Sequence, residues 1–323
     1  MKHRAFGKTG WQVSEIGFGA WGIGKSWWGP TEDTVSLKAL HKALDLGINF
    51  IDTAYIYGDG HSEKLIAQLL KERSERVYVS TKVPPKNWEW PARQTIPLRE
   101  AFPRKWVLEC TDRSRENLRV DTLDLQQFHV WSDSWVDDPE LHETVRELKE
   151  KKIVRAFGVS INDHDPENAL RLASSGLVDS LQMIYNLFDQ SPAEKLLPLC
   201  QKHKVGVIVR VPLDEGGLSG RLTPHTKFHP DDFRSRYFRG DRLKETCDRV
   251  EKLKFLLQGK VGTMAQTALK FCLSHPAVST AIPGMRLPEH VEENCKVSDG
   301  KLLTPDELEQ AKTHAWVRNF YKD

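Results

Sequence analysis

The chain has 323 residues, 39% of them hydrophobic, and a net charge of +2, so charge gives no reason to expect nucleic acid or an anionic membrane surface as a partner. No apolar run approaches the roughly 20 residues of a membrane span, and the opening MKHRAFGKTG lacks the apolar stretch of a signal peptide. Cys110, Cys200, Cys247, Cys272 and Cys295 form no CxxC pair, which reads as reduced thiols in a cytoplasmic protein.

Arg4–Val13, centred on Lys8-Thr9-Gly10, reads as a small hairpin. A first β-rich run follows at Ile16-Gly17. Gly17–Gly22 fits GxGxxG, but a dinucleotide fingerprint of that kind must open directly into a helix. Here Ile23–Pro30 reads as loop, and the glycines are expected to let it cross close to a ligand. Thr31 is the expected N-cap of a helix with Val35, Ala39, Leu40, Ala43 and Leu44 on one face. The next run, Asn49–Asp52, leads to Tyr57, a Gly58-Asp59-Gly60 turn and Ser62-Glu63, which reads as a helix start. Val77–Thr81 delivers Lys82. Further runs lie at Leu123–His129, Ala156–Ser160, Ser180–Tyr185, Gly206–Val211 and Ser279–Pro283. Met264, Ala265, Ala268, Leu269, Cys272 and Leu273 share a helix face behind Thr263. Thr304–Glu307 looks like a capping box.

Eight runs alternating with helices predict a (β/α)8 TIM barrel with an N-terminal β-hairpin and long βα loops, a single domain over residues 1–323. The long loops are Pro84–Pro103, with five prolines and two tryptophans, and Gly216–Gly240. Both lie where barrels build active sites.

Polar residues gather at one end of the runs: Asp52, Lys82, His129, Ser160, Gln182 and Arg210, with Gly284 beyond the last. Asp52, Tyr57, Lys82 and His129 would converge on one mouth. A phenol donates a proton readily only if its pKa falls from about 10. The ammonium of Lys82 would lower it, Asp52 would hold Lys82, and His129 would orient a carbonyl oxygen. No metal is expected, because His129, His142 and His164 form no HxH or HExxH pair. Trp21, Trp27, Trp28, Trp88, Trp90, Trp131 and Trp135 fall in loops. They suggest an aromatic-lined mouth suited to aromatic or aliphatic carbonyl compounds. Arg93, Arg99 and Arg104 either recruit a carboxylated substrate or solvate the loop.

These motifs together resemble the aldo-keto reductases. They include Gly17-Phe18-Gly19-Ala20-Trp21-Gly22, Asn49–Ala54 with Tyr57-Gly58 and Ser62-Glu63, Thr81-Lys82, and Asp124-Leu125 through His129. Gly158-Val159-Ser160, Gln182, Pro212-Leu213, Ile282-Pro283-Gly284 and Glu293-Asn294 complete them. The resemblance implies NAD(P)H-dependent reduction of a small-molecule aldehyde or ketone, with Asp52, Tyr57, Lys82 and His129 as the catalytic residues. It places the cofactor against Gly19, Trp21, Asp52, Ser160, Asn162, Gln182, Arg210, Pro212, Leu213, Gly284, Arg286, His290, Glu293 and Asn294. Ser160 and Gln182 would hold the carboxamide; the family usually has Asn directly after the Ser, but here Ile161 intervenes and Asn162 follows one place later. The guanidinium of Arg210 stands where many members stack an aromatic ring on the nicotinamide. Arg286 and His290 favour NADP(H) over NAD(H), through a 2′-phosphate. Trp21, Tyr57, Trp88, His129 and Trp131 would line the substrate pocket. The alternative is a non-catalytic, cofactor-binding subunit of the same fold. Monomer and dimer both fit.

Overall fold

Successive side chains on a strand point to opposite faces of a sheet, and in this protein that alternation separates a helix-covered outside from a closed interior. The computed structural model describes residues 1–25, 27–29, 31–258 and 262–319; Ser26 and Pro30 of the expected first loop lie outside these. A short antiparallel hairpin comes first, β1 (His3–Ala5) against β2 (Gln12–Ser14). Eight strands follow: β3 (Phe18–Gly19), β4 (Phe50–Asp52), β5 (Tyr78–Val83), β6 (Leu123–Phe128), β7 (Val154–Ser160), β8 (Ser180–Ile184), β9 (Gly206–Arg210) and β10 (Thr280–Ala281). Each pairs in parallel with the next in chain order.

The two ends of this row meet. Ile16 bridges Ala281 and Gly19 bridges Gly284. Gly17 N–H donates to Ala281 O (2.8 Å) and Gly19 N–H to Pro283 O (3.0 Å). The sheet is thereby a closed (β/α)8 barrel, as expected. Its first strand lies two residues beyond the Ile16-Gly17 run. A Cβ at Gly19 would sit 2.6 Å from Ile282 O, so the seam closes only over a glycine.

The barrel interior has two characters. Its N-terminal end is apolar: Phe50, Leu125, Ala156, Ile208 and Ile282 pack with Phe6 and Val13 of the hairpin. Phe6 fills the floor, and a Cβ at Gly206 would lie 3.0 Å from its ring. Toward the C-terminal end the same face turns polar, with Asp52, Ser80, Lys82, Gln127, Ser180 and Gln182 all buried. The hairpin is thus the stopper of the barrel.

Thr263 and Thr304 each cap a helix in a reciprocal box, with Gln266 and Glu307. Thr31 does not cap. The helix Asp33–Asp45 starts from Glu32, and the Thr31 hydroxyl points to Gly22 O at 3.5 Å. Ser62-Glu63 is more than a helix start. Ser62 Oγ donates to Ala20 O (3.1 Å) and accepts from Thr53 Oγ1 (2.8 Å). Buried Glu63 accepts from Thr81 Oγ1 (2.6 Å) and Asn117 Nδ2 (2.9 Å). Together they tie the loops after β3 and β4 to β5. Among the described residues, no helix is long and apolar enough to cross a membrane.

Phe6 is fully buried, so Phe6→Ala leaves a cavity in the floor and is expected to cost about 3–5 kcal/mol. Urea unfolding should show a lower midpoint at unchanged slope.

Candidate active site

Asp52 is the last residue of β4, and Lys82 lies on β5 with its side chain inside the barrel. Lys82 Nζ donates to Asp52 Oδ1 (2.5 Å) and to Thr53 O (2.6 Å). The other carboxylate oxygen, Oδ2, accepts from Gln182 Nε2 (2.8 Å) and, at 3.5 Å, from Gln127 Nε2. Tyr57 stands on the turn above. Lys82 Nζ is 5.1 Å from the centre of its ring, and the His129 ring is 6.0 Å away. The four residues therefore meet at the C-terminal end of the barrel.

The loop after β3 crosses this turn backbone to backbone. A Cβ at Gly24 would lie 2.8 Å from the Tyr57 carbonyl carbon, and one at Gly58 only 2.0 Å from Gly24 O. Gly58 also has φ of +69°, a conformation natural to glycine.

The net shift of the Tyr57 phenol in this site is upward, where a fall was expected. The Lys82 ammonium is bonded to Asp52 and Thr53 O and lies 5.1 Å from the centre of the Tyr57 ring. Burial pushes the Tyr57 pKa well above the ordinary phenol value, Asp52 adds to this, and Arg210 opposes it. Burial also lowers Lys82, against the pull of Asp52. His129 is held well below the usual imidazole range by burial, then by the charges of Lys82 and Arg210. Its Nδ1 is buried with no hydrogen-bond partner. The site thus presents a protonated phenol and a neutral imidazole.

Several expected cofactor residues have other partners. Gln182 faces Asp52. Asn162 pins the long loop after β5, accepting from Ala92 N–H (3.2 Å) and donating to Ala92 O (3.0 Å). Arg210 reaches Ile161 O (2.9 Å) and Asp163 Oδ1 (2.5 Å), so its guanidinium is tied to the loop after β7. Glu293 accepts from Thr263 Oγ1 (2.9 Å) and pairs with Arg221, so both carboxylate oxygens are engaged. Asn294 is buried. Ser160, 1% exposed, ends β7. Pro212 and Leu213 follow β9, where Val211, Asp214, Glu215 and Gly216 all have positive φ. Burial raises Glu215 to about 8.

Around Gly284 there is room: a Cβ would meet nothing within 4 Å. Arg286 beside it is half-buried, with one hydrogen bond to Trp28 O, and half-buried His290 opens the next turn. An open glycine flanked by a guanidinium without a carboxylate bond suits a phosphorylated dinucleotide.

The aromatic wall differs from expectation. Trp21 stacks on Tyr57 at 6.1 Å and contacts Trp28 and Phe233, each at 5.4 Å. Trp131 is fully buried, its indole N–H bonded to Asp133 Oδ1, so it offers no open surface. Trp88 is 63% exposed. Trp90, two residues on, places its ring 5.1 Å from His129. Gln127 was also missed, although it lies two residues before His129 and so shares an interior strand face.

The aldo/keto reductase family model matches residues 15–315. Aldo-keto reductase YhdN of Bacillus subtilis is 31% identical over 95% of this chain and 92% of its own length. The NADH-specific methylglyoxal reductase of Escherichia coli is 28% identical over 91% and 92%. The holo form of aldo-keto reductase AKR11C1 from Bacillus halodurans superposes with a TM-score of 0.75 at 27% identity, covering 98% of this chain and 96% of that one. With its barrel closed and its polar strand ends gathered at one mouth, the chain belongs to the aldo/keto reductase family.

Proposed function

We propose that the protein is an NADP(H)-dependent reductase of small aldehydes or ketones, with Tyr57 as the proton donor. The observation that carries this reading is the convergence of Tyr57, buried Lys82 paired with Asp52, and neutral His129 at one barrel end. The dinucleotide, when bound, supplies hydride to the carbonyl carbon. Everything else is done by the chain.

Tyr57 keeps its proton because its surroundings disfavour phenolate. It releases that proton to the carbonyl oxygen as the oxygen becomes an alkoxide, a stronger base than the phenolate left behind. Lys82, 5.1 Å from the ring centre, stabilises that phenolate by its charge, and Asp52 holds Lys82 in place. The proton of neutral His129 belongs on Nε2, since Nδ1 is enclosed without a partner. Nε2–H then donates to the substrate oxygen and sets its direction. Trp21, Trp90 and Phe233 wall the approach and favour apolar carbonyl compounds. Arg286 and His290 support NADP(H). The NADH specificity named for one relative makes these two residues, rather than family membership, the basis of that choice.

Tyr57→Phe should lower the rate of carbonyl reduction by about 10²–10⁴-fold, while NADPH still quenches tryptophan fluorescence. Retained activity would remove Tyr57 as donor. Arg286→Ala should raise KM for NADPH about tenfold, the loss of one charge-assisted contact, and leave KM for NADH near its starting value. Because His129 stays neutral and Tyr57 protonated, kcat for reduction should show no step near pH ~6.5. An acid limb there would mean that His129 titrates as an ordinary imidazole.

A further inference from the structure

Beneath the catalytic residues, two buried side-chain oxygens lack hydrogen-bond partners: Gln127 Oε1 on β6 and Ser180 Oγ on β8. Both residues are fully buried. They flank Gly158 of β7, which pairs in register with Gln127 on one side and Ser180 on the other. A Cβ at Gly158 would lie 2.2 Å from Ser180 Oγ and 3.3 Å from Gln127 Cγ. The missing side chain is what allows these two to become neighbours across the middle strand.

The orientation of the Gln127 amide follows from chemistry. A carboxylate only accepts hydrogen bonds, so the amide nitrogen must face Asp52. Nε2 donates to Ser80 Oγ (2.7 Å) and reaches Asp52 Oδ2 at 3.5 Å. The amide oxygen is left as a buried acceptor, and Ser180 Oγ is a buried hydroxyl on the other side of Gly158. Such groups are rarely left unsatisfied, and an internal water is the common remedy.

We propose that Gln127 is a positioning residue for the reduction, held by a buried water seated between its Oε1 and Ser180 Oγ. The water donates to the amide oxygen and bonds the serine hydroxyl. It thereby keeps Nε2 turned toward Asp52. Three strands then fix the carboxylate: β5 through Lys82, β6 through Gln127 and β8 through Gln182. A carboxylate held in one plane holds Lys82 in one place beneath the Tyr57 ring.

The positioning role rests on Tyr57 and Lys82 carrying the reduction; the water site does not. A high-resolution crystal structure should show a solvent peak about 2.7 Å from both oxygens. Gln127→Leu should lower kcat about tenfold, the loss of a hydrogen bond to a charged group, with KM for the carbonyl compound unchanged. Ser180→Ala, a small change that removes the second anchor of the water, should lower kcat by less, again at unchanged KM. A dry gap between the two side chains overturns the water site. An unchanged kcat in both variants, or a loss that appears in KM instead, overturns the positioning role, and if Tyr57→Phe is inactive in the same assay, the reductase reading survives that failure. Activity retained by Tyr57→Phe would instead fail the reductase reading and leave the solvent peak to be judged by itself.

Discussion

The buried contact between Lys82 and Asp52 is the constraint on which the rest of the site depends. Neither residue is more than 3% exposed, and removing two charges from water is costly unless each is fully partnered. The partners come from distant parts of the chain. Thr53 O takes one ammonium proton, while Gln182 and Gln127 take the second carboxylate oxygen. The Thr53 carbonyl can face inward because its hydroxyl is held by Ser62, which is held in turn by Ala20. A pair of charges thus dictates the path of two loops and the register of four strands. Losing either partner alone would strand a buried charge, which is worse than losing both.

What the sequence made legible follows from strand geometry. Interior positions recur every second residue, so Asp52, Lys82 and His129 could be placed at one mouth from their spacing to the apolar runs. The hairpin, the barrel, the Thr263 cap position and the Thr304 capping box were equally readable, because they rest on local periodicity and capping chemistry. Gln127 obeys the same period as His129 and was still passed over, since a strand glutamine carries no chemical signature of its own. The loops were not legible. Trp88 and Trp90 are two residues apart, yet one is in solvent and the other against His129. Asn162 and Glu293 have partners remote in sequence, Ala92 and Arg221, and no local pattern announces such pairings.

The mouth is less positively charged than its arginines imply. Arg210 is tied to Asp163 and Arg234 to Asp232. Arg234 also lies 4.9 Å over the Trp28 ring, and the Trp28 backbone bridges Asp232. The loops after β3 and β9 are therefore laced together beside Tyr57 by ring contacts, a guanidinium over an indole and a backbone bridge. Arg286 joins this lacing through Trp28 O, so the residue proposed to read the 2′-phosphate is mechanically connected to the aromatic wall at the substrate side.

The seam of the barrel has a consequence for how the protein comes into being. Its closing hydrogen bonds join Gly17 to Ala281 and Gly19 to Pro283. During vectorial synthesis all four residues of the site emerge in the first half of the chain, but the first strand has no partner on its outer edge until the last has been made. Phe6 likewise waits for Gly206 to complete its berth. A nascent chain that already carries Asp52, Tyr57, Lys82 and His129 is an open sheet with an exposed edge, a form prone to pairing with other chains. The last strand is thus the step that turns a sticky intermediate into a sealed vessel.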